Sequence, residues 1–359
     1  VPMQQKAIVI HSPGSGRSSK LGEAIEWLRL AGMEFVDVLP ISALDGLPPQ
    51  GPVWQKQGIQ LAIAAGGDGL VGGVTSHIVS SGLPLGILPL GTANDVARTL
   101  GISMDIEQAA ATIMQGKATS IDIGVAQPAE QEPHHISDPH KPVLPTDAQS
   151  YFVHALTIGI NVKFAKFATD KQLRKKYGNL TYAAAVAKAL QSYTPIEVDL
   201  DFEGVAIYDQ GVNGKPGEEP RILNKTVHVS SKVAQVTIVN SPVFWGALRA
   251  SVPGVNLHDR LLDIVIIEAD HLANLVYKIL RFFRRSTIQK ADYAGWYKQF
   301  PELFSAERSH IPGIHHIQAQ GITIHCRGQQ AEATLDGEIR GQTPIHARVA
   351  NECLNVIVP

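Results

Sequence analysis

The segment AIAAGGDGLVGG, from Ala62 to Gly73, constrains this chain more than any other. Its first residues are small and apolar without alternation, which is the pattern of a strand buried on both faces of a parallel sheet. Gly66, Gly67 and Gly69 then surround Asp68. Glycine is entropically costly where the chain must be ordered, so such a cluster needs a structural reason. One reason is a sharp turn from strand to helix. A second is close approach of a ligand to backbone N–H groups at the helix start, where hydrogen bonds and the helix dipole both favour phosphate. Asp68 repels a bare phosphate, but it fits beside one if Mg²⁺ lies between them, because that cation takes hard oxygen ligands.

Two further loops have the same character. HSPGSGRSS (11–19) follows the strand-like AIVI, and ILPLGTANDVAR (87–98) carries Gly91 and Thr92 ahead of a helix opened by Thr92 or Asn94. The first third of the chain alternates strands with helices, among them SKLGEAIEWLRLAG and DIEQAAATIMQGK. This alternation predicts a doubly wound α/β domain with a parallel sheet. Open sheets of that kind bind ligands at the carboxyl ends of their strands, so the three loops are expected to converge on one edge. Their spacings match neither the Walker loop nor the dinucleotide fingerprint.

The pattern changes after about residue 120. The segment at 126–150 is rich in Pro, His and acids, has no period, and reads as an exposed or disordered loop. His134, His135 and His140 lie in it, without the paired acid or cysteine of a fixed metal site. Beyond it strand-like segments dominate, and two helices stand out, YGNLTYAAAVAKALQSY and HLANLVYKILRFFRRS. The expected architecture is an α/β domain over 1–120 and a β-rich sandwich over 121–359, with the last strand packing back on the first domain.

The chain has 359 residues, 44% hydrophobic and 18% charged, with a net charge of −2. That composition suits two globular domains and supplies no basic field for nucleic acid. Two cysteines argue against a disulfide scaffold and for a cytoplasmic setting. No signal peptide or membrane span is read, because the best apolar run is broken by Asp263, Glu268, Asp270 and His271. The basic end of the helix at 274–286 suits either a solvated surface or peripheral contact with an anionic membrane. The oligomeric state stays open, a dimer included.

In order along the chain, HSPGSG, GGDGL, LPLGTANDVAR, ALTIGINVKFA, KKYGNLTYAAAVAKAL, VNLHDRLLDIVII, ATLDGEI and LNVIVP resemble the diacylglycerol kinase catalytic domain family, which includes bacterial lipid kinases and sphingosine and ceramide kinases. The series covers almost the whole chain. The resemblance implies a nucleotide domain, a C-terminal β-sandwich and an active site in the cleft between them. ATP would lie on Ser12, Pro13, Gly14, Ser15, Gly16, Gly66, Gly67, Gly69, Gly91 and Thr92. Asp68 would act through MgATP, and Glu338 would be the catalytic base, with Asp336 as the alternative. A structural cation would be held by Asp259 with the backbone carbonyls of Asn256 and Leu261.

The implied activity is transfer of the γ-phosphate of ATP, with Mg²⁺, to the hydroxyl of a lipid, diacylglycerol first, in the phosphorylation chemistry of phospholipid biosynthesis. A sphingosine-type lipid kinase, a soluble-metabolite kinase such as an NAD kinase, and a non-catalytic nucleotide- or lipid-binding regulator remain as alternatives. Several departures bear on the choice. Ser12 replaces an Asn, and Pro40 with Ser42 stands where a nucleotide-contacting Thr is frequent. Leu70, Gly72 and Gly73 remove three polar side chains, and Arg260 replaces a Gly in the cation segment.

Overall fold

The computed structural model describes residues 5–129, 149–207, 220–244, 250–251, 255–269, 271–277 and 313–359. Most of the Pro- and His-rich loop and the basic part of the helix expected at 274–286 lie outside these residues, apart from a helical turn at 272–277.

The first unit is a sheet of β1 (Lys6–His11), β2 (Glu34–Pro40), β3 (Leu61–Gly66), β4 (Leu85–Pro89) and β5 (Lys117–Ile121). Its helices are α1 (Leu21–Leu30), α2 (Gly51–Lys56), α3 (Asp68–Ile78), α4 (Asp95–Thr99) and α5 (Ile106–Gln115). The strand order is β2-β1-β3-β4, all parallel, so the chain leaves β1 and β3 in opposite directions. That reversal opens a crevice at the carboxyl ends of β1 and β3. Every residue of β3 is buried, as its unalternating apolar run requires. α1 packs with α5 and α2 with α3. α5 begins at Asp105, whose side chain accepts the Gln108 N–H at 3.0 Å in an N-cap.

The second unit begins with β6 (Gly124–Pro128), β7 (Ser150–Phe152) and β8 (Ala155–Gly159). The helices α6 (Ile160–Thr169), α7 (Lys171–Tyr177) and α8 (Thr181–Gln191) follow. The strands then run β9 (Ile196–Ile207), β10 (Arg221–Ile222), β11 (Val227–Val239), β12 (Val243–Phe244), β13 (Ala250–Ser251), β14 (Leu262–Glu268), β15 (Ile314–Cys326), β16 (Glu332–Leu335), β17 (Glu338–Gln342) and β18 (Ile345–Val349). The main path is β17-β16-β8-β11-β14-β15-β18-β6-β7, antiparallel throughout. The long strands β11 and β15 each also pair with β9. Sharing them between layers produces the sandwich, closed over a core that includes Phe152, Phe202, Ile238, Ile264 and Ile322.

Two details differ from the sequence reading. α6 and α7 join α8, where one helix was expected. Ile160 and Val162 at the start of α6 are β-branched and read as a continuation of the strand. Their helix forms because Phe164, Phe167 and Ala168 pack with Leu173 and Ala185. YFVHALTIGI divides into β7 and β8, with His154 between them. The terminal strand β19 (Leu354–Val358) inserts in the first sheet between β4 and β5, parallel to one and antiparallel to the other.

Candidate active site

The three glycine-bearing loops meet. Gly91 and Gly67 touch through their backbones: a Cβ at Gly67 would lie 3.3 Å from Gly91 Cα, and one at Gly91 would collide with Gly67 Cα. A Cβ at Gly16 would lie 3.3 Å from Thr92 Oγ1, so the first and third loops are neighbours as well. Arg17 ties them together. Its backbone N–H donates to Leu90 O at 3.0 Å, and its guanidinium donates to Met104 O at 2.9 Å and to Pro89 O.

The loop after β4 is held from inside. Asn94 has φ 53°, in the left-handed region that an Asn tolerates. Its Oδ1 accepts the Gly91 N–H at 2.9 Å and its amide donates back to Gly91 O at 2.9 Å. Asn94 therefore braces the loop rather than capping α4 with its side chain. Asp68 supplies the link to α4, its Oδ1 accepting the Val96 N–H at 2.9 Å.

Gly67 is the N-cap of α3 and has no side chain to satisfy the helix start. The Val71 N–H to Gly67 O bond, 3.1 Å, comes after the amides of Asp68, Gly69 and Leu70, which precede the first complete helical turn. Ser15 Oγ, in the first loop, is buried without a hydrogen-bond partner among the described residues. An orphaned hydroxyl beside the amides of a helix start suits an anionic ligand such as a nucleotide phosphate. Ser12, Pro13 and Gly14 line the same bend, with Ser15 N–H donating to Ser12 O at 3.1 Å. Leu70 turns inward over Gly66, with no room for a Cβ between them.

The second unit reaches this site through the hairpin of β16 and β17. Its turn is Asp336–Gly337, with φ 49° and 86°, a left-handed pair suited to a tight hairpin. One face of α3 carries Gly69, Gly72 and Gly73, at helical spacings of three and four. The hairpin lies on that face. A Cβ at Gly69 would stand 2.9 Å from Glu338 Oε1, and a Cβ at Gly72 would overlap the Asp336 carboxylate. At Gly73 the neighbours are Ile41, from the turn after Pro40, and Arg340. Glu338 thus sits on the residue next to Asp68.

Asp336 and Glu338 differ in burial. Asp336 is buried, and its oxygens accept the N–H groups of Val153 at 3.0 Å, His154 at 2.8 Å and Ala155 at 3.1 Å. Burial pushes its carboxyl up to about 6 against the pull of those bonds. With its oxygens committed to these three N–H groups, Asp336 ties the hairpin turn to the β7–β8 link. Glu338 is exposed, and Oε2 accepts from the Arg340 guanidinium, 2.9 Å from Nε.

The segment expected to hold a structural cation is built differently. Arg260, with φ 59°, donates its backbone N–H to Asp122 Oδ2 at 2.7 Å, and its guanidinium reaches Asp122 Oδ1 at 3.1 Å and Ala350 O at 2.6 Å. Asp122 is buried. Asp259 Oδ1 accepts the Leu261 N–H at 3.1 Å, and Asn256 Oδ1 accepts the His258 N–H at 3.1 Å. Burial and the nearby Asp263 raise the Asp259 carboxyl to about 6. No group of three His, Cys, Asp or Glu among the described residues is placed to hold a metal. The Arg260 guanidinium sets its positive charge against Asp122, while Asp259 accepts from the Leu261 N–H and the Gln318 amide.

Sequence reasoning missed Arg17 and Arg340, and read Asn94 as a helix cap and not as the brace of its loop. Asn94 had a usable signal, an Asn three residues after a Gly at a helix entry. Arg17 and Arg340 had none, because their partners lie far away or on an exposed strand. No helix among the described residues is long and apolar enough to cross a membrane.

Comparison with known proteins gives the same order of parts. Residues 6–126 match the diacylglycerol kinase catalytic domain, and residues 155–292 match the YegS C-terminal NAD kinase beta sandwich-like domain. A diacylglycerol kinase of Bacillus subtilis is 25% identical over 347 residues, covering 95% of this chain and 92% of its own. One from Mycobacterium tuberculosis is 22% identical over 360 residues, with 99% and 95% covered. A crystal structure of a Bacillus anthracis diacylglycerol kinase superimposes with a TM-score of 0.58 at 16% identity, covering 100% of this chain and 98% of that one, which shows a shared fold. With an α/β unit whose glycine loops converge and a sandwich that delivers Glu338 to them, this chain belongs to the diacylglycerol kinase-like family.

Proposed function

We propose that the chain is an ATP- and Mg²⁺-dependent lipid kinase that phosphorylates the hydroxyl of a lipid alcohol, diacylglycerol first. The observation that carries this reading is the seat of Glu338 against Gly69, beside Asp68 and the helix start that suits phosphate. Phosphoryl transfer needs positioning and charge stabilisation more than covalent help. The backbone amides of the three loops and Ser15 Oγ would bind the phosphates. Asp68, with Oδ1 held by Val96 N–H, would turn its other oxygen to the metal. Bound Mg²⁺ would supply charge neutralisation on the phosphate oxygens. Glu338 Oε1 would take the proton of the acceptor hydroxyl as its oxygen attacks the γ-phosphorus and the bond to ADP breaks.

The non-catalytic alternative drew on Gly72 and Gly73. Gly72 seats the Asp336 carboxylate and Gly73 lies against Ile41 and Arg340, so both support an assembled site and not a decayed one. Peripheral membrane contact and a cytoplasmic setting belong to the same proposal, since the acceptor is a lipid.

The test is incubation with γ-labelled ATP, Mg²⁺ and vesicles containing diacylglycerol, with sphingosine, ceramide and NAD in parallel. Labelled phosphatidic acid is expected. Glu338→Gln and Asp68→Ala should each lower turnover by about 10²- to 10⁴-fold. Label appearing only in NADP, or turnover unchanged in both variants, would overturn the reading.

A further inference from the structure

We infer that Arg340 is a positioning residue for the proton acceptor: it binds one oxygen of Glu338 and so aims the other at the acceptor hydroxyl. The inference rests on the kinase reading above.

The register of β17 with β16 slips between Ile339 and Gly341, leaving Arg340 at an irregularity, and there its guanidinium lies on the same side as Glu338, 2.9 Å from Nε to Oε2. That side looks onto α3, where Gly69 receives Glu338 and the Cβ position of Gly73 lies 3.9 Å from Arg340 Nη2. The guanidinium donates to Glu338 through both Nε and Nη2, and both bonds end on Oε2. Oε1 is the atom left against Gly69. A glutamate on an exposed edge strand has three rotatable bonds and would otherwise sample many positions. The planar guanidinium fork is already organised for a carboxylate, so it restricts Glu338 at little further entropic cost. It also leaves one carboxylate oxygen to take the proton while the attacking oxygen bonds to the γ-phosphorus and ADP departs.

Gly73 completes the arrangement. Ile41 is the tight neighbour of the Gly73 Cβ position, at 3.3 Å, and Arg340 passes at ordinary contact distance along the second turn of α3. The Glu338 and Arg340 side chains are 54% and 32% exposed. A pair so open adds little to stability, so its effect belongs in the rate.

The test compares the wild type, Arg340→Ala, Arg340→Lys, Glu338→Gln and the Glu338→Gln/Arg340→Ala double variant. Each is assayed with ATP, Mg²⁺ and diacylglycerol vesicles, with melting temperature measured alongside. The expected result is a fall in kcat of about 10- to 100-fold for Arg340→Ala, with the KM for ATP within about threefold and the melting temperature unchanged. Arg340→Lys should recover part of the loss, and the double variant should be no slower than Glu338→Gln alone. Arg340→Ala turning over like the wild type while Glu338→Gln is inactive overturns this inference and leaves the kinase reading standing. A raised KM with kcat preserved, or losses that multiply in the double variant, assigns Arg340 to another task and also overturns it. A wild type that phosphorylates no lipid removes both.

Discussion

The Asp336 carboxylate occupies the place where a side chain on Gly72 would begin. Through that contact the hairpin of the sandwich is seated on the helix that follows Gly66–Gly69. The three amides of residues 153–155 hold the same carboxylate from its own side.

A methyl group at Gly72 therefore has nowhere to go. Gly72→Ala is expected to push Asp336 off its amides and to lift Glu338 from Gly69. The cost should be about 2–4 kcal/mol, the sum of overpacking and lost hydrogen bonds to a charged group. Urea unfolding followed by fluorescence gives the stability, and kcat should fall in the folded fraction. A variant as stable and as active as the wild type would show that the interlock is dispensable.

Gly91→Ala tests the contact between the second and third loops. Its Cβ would collide with Gly67 Cα and come 2.8 Å from Asn94 Oδ1, so backbone must shift. Because these loops are the proposed phosphate cradle, the KM for ATP should rise at least about tenfold, more than kcat falls. Isothermal titration with a non-hydrolysable ATP analogue measures it directly, and an unaltered affinity contradicts the assignment.

Asp259 offers a pH test. Burial first, then Asp263 and Asp122, raise its folded carboxyl to about 6, above the ordinary Asp value. An acid raised on folding holds its proton longer in the native state. Its contribution is therefore present at pH near 4 and lost as pH climbs through about 6. Asp259→Asn keeps an oxygen for the Leu261 N–H and should abolish that slope. It should be more stable than the wild type at pH 7, by about 1 kcal/mol after solvent screening, with the two converging near pH 4. Melting temperatures across pH 4–7 decide it, and parallel curves count against it.

Arg260→Met should destabilise the junction of the two units, because Asp122 is buried and, among the described residues, its carboxylate keeps only the backbone N–H of residue 260 and the Cys353 thiol. A loss of about 2 kcal/mol is expected, below the full value for breaking a buried pair because that amide remains. Added Mg²⁺ or Ca²⁺ should leave the wild-type melting temperature unchanged without ATP. A cation-dependent rise would point instead to a metal held beside this pair.

Much of the first unit was legible because its signals are short-range. The buried run of β3, the Gly66–Gly69 turn and the helical spacing in α1 each depend on residues a few positions apart. α6 was hidden because its β-branched start favours a strand locally. Only its packing against Leu173 and Ala185 overrides that preference. The insertion of β19 between β4 and β5 involves a choice of partners, and an apolar strand pattern names none.

The chain's own pattern thus determined the strand–turn–helix units and the glycine bends that end them, since backbone sterics and side-chain periodicity act between neighbours. Tertiary structure alone decided that Asp336, Glu338 and Arg340, from the far end of the chain, settle on Gly69, Gly72 and Gly73. A glycine states that space is available, and only the folded packing of both units selects what fills it.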